Sequence, residues 1–125
     1  YLILRLPGLV GPGLKKNAIY DLKFNNNIKA IDSRSVYQFY PVTNLWSDIC
    51  KIQKYNLKKV HLTSEPISIG EISKLAFRKE FKNFTNKNVA NYDIRSANAL
   101  KIHGVKNYNY SKDEVIKAVT DYIHL

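Results

Sequence analysis

Apolar residues along this chain fall in short runs whose period changes from stretch to stretch. Tyr1, Leu2, Ile3, Leu4 and Leu6 form a run without alternation, closed by Pro7 and Gly8. A short β-prone run of this kind predicts a strand of a parallel sheet covered on both faces. The Pro/Gly loop through Gly13 then lies at the strand's carboxyl end. Over residues 14–25 the period becomes helical: Leu14, Ile19, Leu22 and Phe24 share a face, and Asn25, Asn26 and Asn27 end it. Residues 28–31 read as a short strand, 32–35 as a turn, and 36–40 as an extended aromatic stretch stopped by Pro41. Thr43 or Asn44 caps a helix to about Tyr55, with Leu45, Ile49 and Ile52 at helical spacing. Trp46 and Cys50 are also one turn apart and are expected inside, as a core anchor and a small buried residue.

The second half repeats the alternation. Residues 60–63 read as a strand. Ser68 and Glu71 form a capping-box pattern before Ile72, Leu75, Ala76 and Phe77, and that helix is expected to fade near Phe84. Residues 83–91 are polar and read as a loop, with an extended segment at 89–94. Asp93 or Ser96 is expected to cap a helix through His103, with Gly104 as its C-terminal signal. Ser111 and Glu114 open a last helix carrying Val115, Ile116, Val119 and Ile123. No internal repeat interrupts this order. Short strands alternating with about five helices imply one small α/β domain over residues 1–125.

Composition narrows the picture. There is no apolar run of membrane-spanning length, so no membrane partner is expected. A single cysteine excludes an internal disulfide and a cysteine-based zinc cluster, and the three dispersed histidines make no metal site. The expected compartment is the cytoplasm. Methionine is absent, and the chain opens on the large residue Tyr1 inside a strand, so it is expected to be the C-terminal piece of a longer protein. The net charge of +10 raises nucleic acid as a partner. The cations are mostly scattered lysines with no basic block or RNA-binding aromatic motif, which argues against that. A small basic α/β module for nucleic acid or another anionic partner is the alternative reading.

The first thirteen residues also carry a resemblance. Leu4-Arg5 followed by Gly11-Pro12 resembles the strand and loop that open the substrate-binding part of the extended short-chain dehydrogenase/reductases, the NAD-dependent epimerases and dehydratases of nucleotide sugars. The segment 38–45, Glu65-Pro66, and Asp93 with Ser96 follow in that family's order. Gln38 stands where the family has an Arg, Asn44 where it has an Asp, and Gly8 where it has an Asn. The resemblance implies the C-terminal, substrate-binding part of such an enzyme, with the cofactor-binding Rossmann part absent. It implies NAD or NADP, held mainly by that absent part, with the Pro7, Gly8 and Leu9 backbone near the nicotinamide. It further implies a nucleotide-sugar substrate touched by Asn17, Arg34, Gln38 and Arg95. No catalytic residue is expected within the chain, which alone is expected to be inactive.

Two patterns are decoys. Gly8, Gly11 and Gly13 with Asp32 outline a dinucleotide loop and its ribose acid. The glycine order is wrong, however, and Pro12 removes an N–H from a loop that must present them. Tyr-x-x-x-Lys, the family's catalytic spacing, occurs at Tyr55/Lys59 and Tyr108/Lys112. Both lie downstream of the opening strand, whereas the family's pair precedes it.

Overall fold

Short runs become short strands. In the computed structural model, which describes residues 1–125, three two-stranded sheets form from non-consecutive pieces. β1 (Ile3–Arg5) pairs in parallel with β5 (Lys59–His61), and β2 (Gly8–Val10) in parallel with β4 (Phe39–Pro41). β3 (Val36–Tyr37) runs antiparallel to β6 (Ile67–Ser68). Five helices complete the chain: α1 (Ala18–Phe24), α2 (Leu45–Lys54), α3 (Ile69–Leu75), α4 (Ala99–Ile102) and α5 (Lys112–Ile123). The α/β class expected from the alternation is the class observed.

Burial organises these pieces around one core. Val10, Ile19, Tyr40, Ile52, Leu62, Ile72, Val115 and Val119 are all closed to solvent. They come from β2, α1, β4, α2, α3, α5 and the end of β5, so every layer contributes. Both capping boxes form as expected, Ser68 with Glu71 and Ser111 with Glu114. In each, the serine oxygen takes the Glu N–H and the carboxylate takes the serine N–H, satisfying donors that a helix start leaves free.

Several expectations need correction. β1 is not covered on both faces: Ile3 and Leu6 are exposed, and β5 is its one strand neighbour. The Pro/Gly loop contains β2, since Gly8 can lie against Phe39 where a Cβ would sit 3.1 Å from the ring. Residues 28–31 are not a strand. Asn25 and Asn27 adopt left-handed backbone at φ 53° and 49°, and Ile28–Ala30 winds into a 3-10 turn. α1 starts later than residue 14 because Gly13 and Asn17 take positive φ, and Asn17 is its N-cap.

Trp46 is 73% exposed and Cys50 is exposed. The inward stripe of α2 is Leu45, Asp48, Ile49 and Ile52, and residues one position along from Leu45 and Ile49 point about 100° away. α3 stops at Leu75, well short of Phe84. Arg78 is left-handed, and Ser73 Oγ donates to the Lys79 carbonyl at 2.7 Å, closing the end. Neither Asp93 nor Ser96 caps α4. Asp93 binds Arg95 and Tyr108, Ser96 N–H donates to the Asn107 carbonyl, and Asn98 precedes the helix.

A buried carboxylate ties the core together. Asp48, 1% exposed, accepts from the Tyr40 hydroxyl at 2.5 Å and the Tyr110 hydroxyl at 2.7 Å on one oxygen. That joins β4, α2 and the entry to α5. Burial, then the neighbouring carboxylate, pushes both phenols far above the ordinary tyrosine range.

Candidate functional site

The side chain that begins the site is Asn17. Its Oδ1 accepts from the Ile19 and Tyr20 N–H groups at 3.0 and 3.3 Å, and its Nδ2 donates to the Leu9 carbonyl at 2.8 Å. Asn17 thus fastens the start of α1 to β2. Beside it opens a cleft of about 300 Å³. One wall comes from α1 and the 3-10 turn. The other comes from Asp32, Ser35 and Tyr37 on one segment and Thr85, Lys87 and Asn88 on another.

These last two segments are distant in sequence and are sewn together by Asp32. Oδ1 accepts from Arg34 N–H at 2.9 Å and Nε at 3.0 Å. Oδ2 accepts from Arg34 Nη2 at 2.8 Å and Thr85 N–H at 2.9 Å. The side-chain bond from Arg34, followed by the Thr85 amide, holds the Asp32 carboxyl far below the usual carboxylate range. Arg34 is raised by the same pairing. The Phe84 ring covers the guanidinium at 4.5 Å. Asn83 reinforces the seam, donating from Nδ2 to the Lys29 and Ile31 carbonyls at 2.9 and 2.8 Å. Tyr37 stacks on Tyr92 at 5.7 Å between ring centroids and lines the cleft.

Of the residues expected to touch substrate, Asn17 lines this cleft, and Arg34 lies behind the lining, bonded to Asp32. Gln38 does something else. It is 3% exposed, its Nε2 donates to the Ser64 and Ile94 carbonyls at 2.9 and 2.7 Å, and its Oε1 accepts the Ile94 N–H at 2.8 Å. It is a bridge within the fold. Arg95 lies apart from the cleft on an exposed segment, paired with Asp93 at 3.1 Å. Tyr108 also donates to Asp93, and that bond, then Arg95, lowers the Asp93 carboxyl.

Pro7 lines a smaller hollow of about 170 Å³ with Arg5, His61, Thr63 and Ile94. No pyrophosphate cradle accompanies it, because β2 pairs with β4 and Pro12 has no N–H. The decoys dissolve likewise. Asp32 belongs to the clasp, Tyr55 ends α2 while Lys59 sits in β5, and Lys112 opens α5 and pairs with Glu71. Reading the sequence missed Thr85 and Lys87, which it left in a polar loop. Asp32 and Arg34 two residues apart were the visible half of the clasp, and nothing local announced the other half. A second cleft, about 380 Å³ between α5 and the Pro12 and Pro41 turns, holds none of the expected residues.

No protein-family profile and no curated protein matches the chain. Among solved structures it is similar to a UDP-galactose 4-epimerase, with a TM-score of 0.61 and 14% identity. The likeness covers 98% of this chain and 44% of that one, so the chain spans less than half the length of that structure. The fold is a mixed α/β fold similar to part of that epimerase. No helix of the chain is long and apolar enough to cross a membrane.

Proposed function

We propose that this chain is the substrate-binding part of an NAD(P)-dependent enzyme that acts on a nucleotide-linked sugar, and that it is catalytically inert alone. The observation that carries this reading is the likeness to one part of UDP-galactose 4-epimerase across 98% of the chain. The Asn17–Asp32–Tyr37 cleft gives it a place. A nucleotide-sugar needs polar anchors, an aromatic surface for its base and a cation for its phosphates, and these line that cleft. Asn17 and Arg34 remain the proposed substrate contacts among the residues expected from sequence, while the bonds of Gln38 and Arg95 give them roles in the fold.

The nicotinamide cofactor would supply hydride transfer, and the protein's task is to bind and orient. The Pro7–Leu9 backbone and the hollow beside it suit the nicotinamide end alone. The pyrophosphate needs a partner part, and the exposed apolar residues Tyr1, Ile3, Leu6 and Leu9 are where it would dock.

The test is calorimetric titration of the 125-residue chain with UDP-galactose and with NAD, alongside a turnover assay. The expected result is saturable binding of UDP-galactose, no binding of NAD and no turnover. Turnover by the chain alone, or NAD binding without the sugar nucleotide, would overturn the reading. Micromolar, steeply salt-dependent binding of nucleic acid in place of UDP-galactose would put the basic binding module first.

A further inference from the structure

Lys87 stands on the wall of the Asn17–Asp32–Tyr37 cleft, and a relay of hydrogen bonds fixes the backbone that carries it. Asp32 Oδ2 accepts the Thr85 hydroxyl at 3.3 Å as well as the Thr85 N–H, and Thr85 Oγ1 accepts the Lys87 N–H at 3.4 Å. The chain therefore runs from a buried carboxylate, through a threonine, to the lysine's own amide. Lys87 is exposed, and its ammonium joins none of the six ion pairs of the protein.

The charge balance around it is uneven. Arg34 has both Nε and Nη2 committed to Asp32, so that pair is close to neutral. Gln38 carries no charge, and its amide is committed inside the fold. The remaining carboxylate on the cleft is Asp21, which accepts from Asn26 Nδ2 at 2.9 Å on the α1 side. A dianion entering this cleft meets a free cation at Lys87 alone. An ammonium on a flexible stem suits a phosphate as a point charge and needs no bidentate geometry.

We infer that Lys87 is the residue that receives the diphosphate of a nucleotide ligand, and that Asp32, through Thr85, positions it without touching the ligand. This rests on the nucleotide-sugar reading above.

UDP and uridine separate the diphosphate from the nucleoside, and titrating both into the full chain tests the inference. Lys87→Ala should weaken UDP by about tenfold and flatten its salt dependence while leaving uridine unchanged, and Lys87→Arg should restore most of the loss. Asp32→Asn should weaken UDP by several-fold, again sparing uridine, and should add little when Lys87 is already Ala. Thr85→Val breaks the same relay if Asp32→Asn does not fold. UDP affinity within about twofold of the native chain in Lys87→Ala, or equal losses for UDP and uridine, would overturn the inference and leave the nucleotide-sugar reading standing. If the native chain binds neither probe, that reading fails and the role of Lys87 falls with it.

Discussion

The protein contains two carboxylate hubs, and they are built in opposite ways. Asp48 sits in the core and is held by two phenols, with no cation among its hydrogen-bond partners. Asp32 sits at the rim of a cleft, clasped by a guanidinium whose side chain is 50% exposed and by the amide and hydroxyl of Thr85. Each joins segments far apart in sequence. The first spends its bonds on packing layers together. The second spends them on setting the wall of an opening. A buried acid with neutral donors serves cohesion, whereas an acid that neutralises a cation at a surface serves geometry and leaves its neighbours free to meet a ligand.

The largest effect expected from this difference lies at Asp48. Asp48→Ala strands two buried hydroxyls and should lower stability by about 3 kcal/mol, at roughly 1 to 3 per stranded group, measured by urea unfolding. Tyr40→Phe or Tyr110→Phe should each cost less, about 2 kcal/mol, because one bond to the carboxylate is lost and the other phenol still donates to it. If Asp48→Ala is no worse than Tyr40→Phe, the hub is not cohesive in the way described.

The hubs should also fail at opposite ends of the pH scale. Folding raises the Tyr40 and Tyr110 phenols, so the folded chain holds those protons more tightly than the unfolded one. Their contribution is complete below about pH 10 and is lost as pH climbs beyond it. Folding lowers Asp32, so its contribution is complete above about pH 4 and is lost as pH falls through the folded value. Melting temperature against pH should show an alkaline fall that Tyr110→Phe blunts and an acid fall that Asp32→Asn blunts. Exchange of these two signatures between the variants would invert the comparison.

The smallest effect should come from the one tryptophan. Trp46→Ser should change stability by no more than about 0.5 kcal/mol, since the side chain lies outside both hubs and the core. A loss above about 2 kcal/mol would show that Trp46 is covered in solution.

What the sequence disclosed follows the range of the forces involved. The capping boxes at Ser68 and Ser111 were visible because the bonding partners lie three residues apart. The helices α2, α3 and α5 were visible through their apolar spacing, although α3 ended earlier than expected. Trp46 and Leu45 both suit a helix, but adjacent residues cannot both face inward, and hydrophobicity alone chose wrongly. Residues 28–31 carry strand-forming side chains, and left-handed asparagines on either side overrode them. The site was half legible. Asn17 follows a Pro/Gly loop and Arg34 follows an acid, but Thr85 and Lys87 reach the cleft through contacts spanning more than fifty residues, as in the 53-residue separation of Asp32 and Thr85. Gln38 was found as a position of note, but its bonds to Ser64 and Ile94, 26 and 56 residues away, were not legible.

β1 leaves one edge without a neighbour, and that edge has a cost for the purified protein. Unpaired strand edges template further strands, and an exposed apolar one can pair with a copy of itself. Here the same ribbon carries exposed Arg5, Lys58 and Lys59, and the whole chain bears a net charge of +10. Two copies approaching edge to edge repel one another before their backbones can meet. Salt shortens that repulsion, from about 8 Å at physiological strength to about 3 Å at 1 M. The excess of lysine thus acts as a colloidal shield, and concentrated brine is the solvent in which this chain should gel or precipitate first.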